Sequence, residues 1–422
     1  MRIIIIGAGP GGYDTAVEAA KRGIEVTLIN RGPLGGTCLN AGCIPTKTFI
    51  ACSTLEEAKG RKAEVVENLR SGISVLLSNK LITLVEGTAR FVSENSVEVD
   101  GIQYTADKII IATGSVPASL PVDGVDNDGV LDSTSILDIE NVPERLCIIG
   151  GGVIGLEFAS IFSAFGSEVT VLEYARNILP RFDVDLAKRL KQSLSKGGIA
   201  IENSAQVTSI DKDCTVHYMK NGQEFSVPAD KVLMAVGRRA SYESLDLDAA
   251  GIEYDKKGIC VDGNMQTNVP GIYAIGDVNG KMMLAHVAKF QGLRALNHIC
   301  GKEDKIRFDL VPSAVFTNPE TASVGMTEEE AKEKGLDIKC LKSFYRANGK
   351  AVASGLTDGY CKLIVDKASD RILGCHILGA HASDIIQEAT VLLNFDSTLS
   401  DLENIIHAHP SLPELLQTAA HS

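Results

Sequence analysis

Cys38 and Cys43 are the residues whose type and spacing most directly suggest chemistry. They stand in Gly35-Gly36-Thr37-Cys38-Leu39-Asn40-Ala41-Gly42-Cys43-Ile44-Pro45-Thr46-Lys47. With four residues between them, two thiols can lie about one helical turn apart, within the ~4.4–6.8 Å between Cα atoms that a disulfide needs. A structural zinc site is the alternative, but it usually takes four thiolate or imidazole ligands, and no second pair stands nearby. An inert buried pair is the third reading. The other eight cysteines, Cys52, Cys147, Cys214, Cys260, Cys300, Cys340, Cys361 and Cys375, are dispersed. In a long acidic chain they are expected to be small buried apolar residues rather than a disulfide scaffold.

The elements around the pair form an internal repeat. Ile3–Ile6 leads into Gly7-Ala8-Gly9-Pro10-Gly11-Gly12, a helical stretch to Arg22 and the strand Val26–Asn30. Leu146–Ile149 leads into Gly150-Gly151-Gly152-Val153-Ile154-Gly155, a helical stretch to Phe165 and the strand Val169–Glu173. Each copy reads strand, Gly-x-Gly-x-x-Gly, helix, strand, and 18 positions separate the last glycine from the residue ending the second strand. The glycines permit a tight turn, approach of backbone N–H groups to a pyrophosphate, and close packing of helix on strand. The helix N-terminus then offers partial positive charge to the phosphates. Two copies with a matching offset predict two dinucleotide sites: Gly7, Gly9 and Gly12 in one, Gly150, Gly152, Val153 and Gly155 in the other.

The copies differ at the final strand residue. Glu173 favours the free 2′-hydroxyl of NAD over the 2′-phosphate of NADP, although Arg176 three residues later keeps NADP open. Asn30 replaces the acid in the first copy and gives up a charge-assisted contact. Two such sites in one chain predict electrons passing from a nicotinamide to a second cofactor, and two-electron chemistry points to flavin. The cysteine pair directly follows the first dinucleotide unit, which argues for its redox use.

Composition narrows the class. A length of 422 residues predicts two to three domains. The net charge is −13, and no basic block supplies a nucleic-acid or anionic-membrane footprint. No apolar run reaches the ~18 residues of a membrane span. The amino terminus lacks the longer apolar core of a secretory signal, so a cytoplasmic location is expected.

The segment around Cys38 and Cys43 resembles the active-site stretch of the pyridine nucleotide–disulfide oxidoreductases, and is most similar to that of the dihydrolipoamide dehydrogenases. The resemblance extends over nearly the whole chain. Ala112-Thr113-Gly114-Ser115-Val116-Pro117 and Ala235-Val236-Gly237-Arg238-Arg239 look like the segments closing the two dinucleotide units. Thr267–Val278 looks like the second flavin motif, and His407-Ala408-His409-Pro410-Ser411-Leu412-Pro413-Glu414 like the carboxy-terminal acid–base segment.

The resemblance implies FAD and NAD as cofactors. Asn30, Thr37, Thr113, Gly114 and Asp277 join the first glycines around FAD, with Asp277 on the ribityl chain; Glu173 and Gly237 join the second around NAD. It implies that Cys38 and Cys43 form a redox disulfide, Cys38 exchanging with substrate and Cys43 lying over the flavin. It makes His409 the acid–base residue, supplied by the partner subunit of a homodimer and oriented by Glu414; on spacing alone His407 is its rival. Lys47 and Glu157 are expected to pair beside the flavin.

The implied fold is α/β, with two Rossmann-like dinucleotide-binding domains for FAD and NAD and a carboxy-terminal α+β dimerisation domain. The expected boundaries are 1–138 and 259–306 for FAD, 139–258 for NAD and 307–422 for the interface. In the last, Val311–Phe316 and Tyr360–Val365 read as strands, Thr327–Lys334 and Ala382–Leu393 as helices. Val153 stands where some relatives carry a tyrosine.

A helical stretch from about Phe49 to Ser78 runs almost directly into the strand Ile82–Val85, a shorter connection than dihydrolipoamide dehydrogenases usually have. Some reductases of oxidised small thiol species, hypothiocyanous acid reductases among them, share that shortness and an Ile-Pro-Thr-Lys-Thr run. The leading expectation is therefore oxidation of dihydrolipoamide, free or on a lipoyl-bearing protein, with NAD. The alternative is reduction of another disulfide or oxidised small thiol. Glu173 weighs against glutathione reductase, and the lack of a terminal cysteine pair against mercuric reductase. A scaffold without turnover leaves the intact set of reactive residues unexplained.

Overall fold

A computed structural model describes all 422 residues, which fall into two compact units. The first comprises Met1–Ala118, Ser133–Ile139 and Gly237–Ile306; the second comprises Ser119–Asp132, Glu140–Val236 and Arg307–Ser422.

The first unit is built on a parallel sheet. β1 (Arg2–Ile6) pairs with β2 (Glu25–Asn30), which pairs with β3 (Ile82–Glu86). On its other side β1 pairs with Lys108–Ile111, and that strand with Ile272–Ala274. Ile3 to Ile6 are at most 3% exposed, as a continuous aliphatic run requires when a parallel strand is covered on both faces. α1 (Pro10–Lys21) crosses from β1 to β2. α2 (Gly36–Ala41), α3 (Cys43–Ile50) and α4 (Leu55–Leu77) lie between β2 and β3. The expected single helix from Phe49 is thus broken: α3 ends at Ile50, and the Thr54 side chain caps α4 by accepting from the Glu57 N–H at 3.2 Å. The link from α4 to β3 is short, as expected.

The second unit repeats this design. Its five-stranded parallel sheet runs Ala200–Asn203, Glu168–Glu173, Arg145–Ile149, Lys231–Met234, Val130–Leu131, with the helix Val153–Ala164 as the crossover. Both units also carry a three-stranded antiparallel sheet: Arg90–Ser93, Ser96–Val99 and Ile102–Thr105 in the first, Gln206–Ile210, Val216–Lys220 and Gln223–Val227 in the second. The copies differ in the outermost parallel strand. In the second it precedes the repeat; in the first it is Ile272–Ala274, which follows the second repeat. That return agrees with the late position of the second flavin-like motif.

From Arg307 the chain forms an antiparallel sheet in the order Ser313–Val315, Thr321–Gly325, Ile372–Leu378, Tyr360–Asp366, Ile338–Phe344. The helix Ala382–Asn394 presents Ile385, Ile386, Ala389, Leu392 and Leu393 to the core of this region. The helix Glu328–Glu333 starts at a Thr327–Glu330 capping box, as its sequence predicts. The first strand is shorter than Val311–Phe316, consistent with Pro312, which has no N–H to donate. The α/β repeats followed by an α+β region agree with the expected fold class. No helix is long and apolar enough to cross a membrane.

Candidate active site

The two glycine motifs share their backbone angles and hydrogen bonds. Gly7 and Gly150 have φ of +108° and +115°, a region that favours glycine. The Gly7 N–H donates to Ile29 O at 2.7 Å, and the Gly150 N–H to Leu172 O at 2.8 Å. A Cβ on Gly7 would strike the Ala112 carbonyl, and one on Gly150 the Ala235 carbonyl. Gly12 and Gly155 leave no room for a Cβ above the Gly7 and Gly150 carbonyls. The middle glycines differ in kind: a Cβ on Gly152 would meet nothing within 4 Å, and one on Gly9 only the Gly36 Cα at 3.9 Å. Each therefore keeps an open face at a helix N-terminus, the place a pyrophosphate occupies.

The strand-end residues are equivalent too. Asn30 Oδ1 accepts from the Ala8 N–H at 3.0 Å, and Glu173 Oε2 from the Gly151 N–H at 2.6 Å. Glu173 Oε1 also accepts from the Ala175 N–H at 2.6 Å. Asn30 thus keeps the loop contact of the acid but lacks its charge, and its amide donates to Gly32 O at 2.5 Å where Glu173 accepts a second N–H. Val153 opens the second crossover helix and is 36% exposed.

Around the second flavin-like motif, Asp277 lies in a short turn, Gly276–Asn279. Ser115 Oγ donates to Asp277 Oδ2 at 2.5 Å. Arg238 Nε donates in turn to Ser115 Oγ at 2.7 Å, and Arg238 Nη2 to Ser115 O at 2.7 Å. Burial raises the Asp277 pKa, and the Ser115 hydrogen bond offsets part of that rise. This leaves Oδ1 as the acceptor for a hydroxyl-bearing ligand, which fits a ribityl chain. Gln291 fixes the turn: its Oε1 accepts from the Gly276 N–H at 2.7 Å and from Asn279 Nδ2 at 2.9 Å. Thr113 Oγ1 donates to Ser241 O at 2.6 Å beside Gly114, whose φ is +74°. Gly237, with φ +113°, falls in the first compact unit rather than with the other residues assigned to NAD.

The cysteines sit on either side of a helix break. Cys38 belongs to α2, and Cys43 is the first residue of α3. Gly42 permits the break by close approach, since a Cβ there would stand 3.0 Å from Thr37 O and 3.5 Å from the Cys38 Cα. Gly36 packs this segment on the first glycine loop, where a Cβ would come within 2.6 Å of the Gly9 Cα. Thr37 is exposed, Cys38 half-buried and Cys43 exposed. Both cysteines are thiols here. The hydrogen bond with Cys43 first, and burial second, push the Cys38 thiol well above its ordinary pKa; the Lys47 charge opposes them.

In the second unit His409 Nδ1 lies 2.8 Å from Glu414 Oε1. A carboxylate only accepts, so Nδ1 carries the proton and Nε2 is left as the basic nitrogen. Glu414 Oε2 accepts from the Ser411 N–H at 2.7 Å. The His409 side chain is 77% exposed. His407 is different: its side chain is 5% exposed, Nε2 contacts Glu388 Oε1 at 2.8 Å and Nδ1 contacts Ile405 O at 3.1 Å. Both of its ring nitrogens are engaged, which separates the two rival bases.

Lys47 and Glu157 lie in different compact units. Glu157 is buried and accepts through Oε1 from the Phe316 N–H at 3.0 Å.

Of the dispersed cysteines, Cys52, Cys147, Cys214, Cys361 and Cys375 are buried as expected. Burial pushes Cys147 up to about 12. Cys260 is exposed and Cys300 and Cys340 are half-buried, which corrects the expectation for those three. Three polar contributors escaped the sequence reading. Ser115 and Arg238 stand inside motifs that drew attention for their glycines, whereas Gln291 carries no local signal.

The Pyridine nucleotide-disulphide oxidoreductase profile matches residues 1–292, and that family's dimerisation domain matches residues 311–420. A dihydrolipoyl dehydrogenase of Bacillus subtilis is 37% identical over 447 aligned positions, covering 99% of this chain and 98% of its own. The mitochondrial dihydrolipoyl dehydrogenase of Pisum sativum is 39% identical, covering 99% and 90%. Among solved structures, the HOCl-induced flavoprotein disulfide reductase RclA from Escherichia coli has a TM-score of 0.92 at 33% identity, covering 100% of this chain and 99% of its own.

Proposed function

Because the chain belongs to the pyridine nucleotide-disulphide oxidoreductase family, we propose that its Cys38–Cys43 pair exchanges electrons with a small dithiol or disulfide, dihydrolipoamide first, and that NAD is the terminal partner. The chain is a flavoprotein disulfide oxidoreductase, and its cofactors are FAD and NAD. Bound FAD supplies the two-electron relay between dithiol and nicotinamide. The observation that supports the reading is the hydrogen bond between Cys38 and Cys43 across the break at Gly42, with Gly36 of the same segment packed on Gly9.

The chemistry of the chain's own residues follows. In the oxidising direction a substrate thiolate attacks the Cys38–Cys43 disulfide and Cys38 takes up the mixed disulfide. The second substrate thiol then displaces Cys38, so substrate leaves as a disulfide and the pair as a dithiol. His409, supplied by the partner subunit, takes the proton of the first attacking thiol on Nε2 and passes it to the departing Cys43 sulfur, then takes the second thiol's proton and returns it to Cys38, while Glu414 holds the ring. In the reverse direction Cys38 must attack, and its raised pKa makes a base necessary. His409 keeps Nε2 for this, whereas both ring nitrogens of His407 are occupied. Lys47 and Glu157 are assigned to the pair beside the flavin. Gly7, Gly9, Gly12, Asn30, Thr37, Thr113, Gly114 and Asp277 are assigned to FAD, and Gly150, Gly152, Val153, Gly155, Glu173 and Gly237 to NAD.

We assign 1–138 with 259–306 to the FAD domain, 139–258 to the NAD domain and 307–422 to the interface domain of a homodimer working in the cytoplasm. The match to the dimerisation domain supports that assembly.

One observation favours a second reading. The alignment with the Bacillus relative spans 447 positions against 422 residues, so that protein carries residues this chain lacks. The Escherichia coli reductase RclA shares the fold at a TM-score of 0.92. Together with the short link from α4 to β3, this supports a reductase of another disulfide or oxidised small thiol. Parallel assays decide between them: NAD with dihydrolipoamide, against NADH with oxidised glutathione or hypothiocyanite. Rapid NAD reduction by dihydrolipoamide supports the first reading; negligible lipoamide turnover with fast NADH consumption moves the substrate to the second.

A further inference from the structure

We propose that a cavity between the helix Val184–Lys196 and the strand Tyr360–Asp366 binds a phosphorylated small organic molecule. The cavity has a volume of about 450 Å³, within the ~300–1,000 Å³ of small-molecule sites and more than a bare phosphate fills. Arg189, Lys196 and Arg346 line it, against a single acid, Asp358. That three-to-one excess of cations occurs in a chain whose net charge is −13, so it runs against the background of the molecule.

The cations are held ready. The Arg189 guanidinium lies 4.7 Å from the centre of the Tyr360 ring and 6.0 Å from that of Phe344. Its Nε donates to Asp185 Oδ1 at 3.1 Å, which leaves the two terminal amino groups for a ligand. The Arg346 guanidinium stacks 5.0 Å from the same Phe344 ring. Guanidiniums fixed by aromatic faces lose little freedom on binding, and their forked donors match phosphate oxygens in pairs. Lys196 is exposed at the end of its helix and adds a point charge. Asp358, whose Oδ2 accepts from Ser193 Oγ at 2.9 Å, offsets one of the three cations and leaves the lining net positive.

Tyr360 lines the cavity and is 1% exposed. Its ring face carries the Arg189 guanidinium, and its hydroxyl, closed to the surface, is no part of the site. None of these residues belongs to the dinucleotide loops, the cysteine pair or the His409–Glu414 pair.

The test uses the FAD-loaded enzyme with NAD at saturation, so that the glycine loops are occupied, and titrates fructose 1,6-bisphosphate by calorimetry. Fructose and inorganic phosphate serve as controls. The proposal predicts saturable binding of the bisphosphate, weaker binding of phosphate, none of fructose, and weakening by added KCl. Lys196→Ala and Arg346→Ala should each weaken binding at least about tenfold, with flavin content and turnover unchanged. Should either variant lose flavin, Lys196→Gln and Arg346→Gln replace it. Absence of saturable binding, equal affinity for inorganic phosphate, or undiminished affinity in the Lys196→Ala/Arg346→Ala double variant would overturn the proposal.

Discussion

His409 Nδ1 and Glu414 Oε1 are 2.8 Å apart, which fixes the imidazole by one edge and presents its other nitrogen outward. The His409 contact first, and the Ser411 N–H second, hold the Glu414 carboxyl below its usual value. Glu414 therefore stays an anion through the neutral range and can stabilise the imidazolium formed when a thiol proton is taken. Replacing His409 with Gln is expected to lower kcat by about 10²–10⁴ without loss of flavin absorbance. His407→Gln should cost far less. If the two variants lose equal activity, the base is misassigned.

The cysteines should separate by role. Cys38→Ser should abolish disulfide turnover while reduction of the flavin by NADH continues, because the interchange sulfur is gone and the nicotinamide side is intact. Stopped-flow absorbance at the flavin band reads both in one experiment. Persistence of full turnover in Cys38→Ser would transfer the exchange role to Cys43.

Glu173 accepts from two backbone N–H groups, at Gly151 and Ala175. Glu173→Ala should raise KM for NAD about tenfold, narrow the preference for NAD over NADP, and leave flavin binding untouched. A KM ratio equal to that of the parent enzyme would place the selectivity elsewhere, Arg176 first.

A buried ion cluster should govern acid stability. Lys362 is fully buried and contacts Asp183 at 2.9 Å and Glu328 at 2.6 Å. The hydrogen bond from Lys332, then that from Lys362, hold the Glu328 carboxyl at about 2 against an ordinary 4.5. A depressed carboxyl adds stability that is complete above pH 4.5 and lost as pH falls from there towards 2. The contribution is on the order of 3 kcal/mol at most, since part of Glu328 faces water. Glu328→Gln should flatten the loss of melting temperature across that window; a slope parallel to the parent's would contradict this. Lys362→Met leaves Asp183 buried without its cation and should cost about 3–5 kcal/mol by urea unfolding.

The sequence made the repeated units legible because glycine requirements are local: Gly7 and Gly150 announce themselves through neighbours that any side chain would strike. The cysteine pair and the His409–Glu414 spacing were legible for the same reason. Partners distant in sequence were not. Ser115, Arg238 and Asp277 form one chain of hydrogen bonds across 162 positions, and no periodicity encodes that. The break between α3 and α4 was legible but passed over: Thr54-Leu55-Glu56-Glu57 carries a Thr-x-x-Glu cap pattern, and the Thr54 cap decides the outcome. The engagement of His407, which lies in a loop, depends on Glu388 of the helix Ala382–Asn394, so spacing alone left two candidate bases.

The central claim is that Cys38 and Cys43 act as a redox centre in series with the flavin. Anaerobic titration of the FAD-loaded enzyme with NADH tests it directly, because the flavin and a disulfide each take up two electrons. The account predicts consumption of about two NADH per flavin in the parent enzyme and about one in Cys43→Ser. Consumption of about one NADH per flavin in both, with the parent cysteines oxidised at the start, would contradict it.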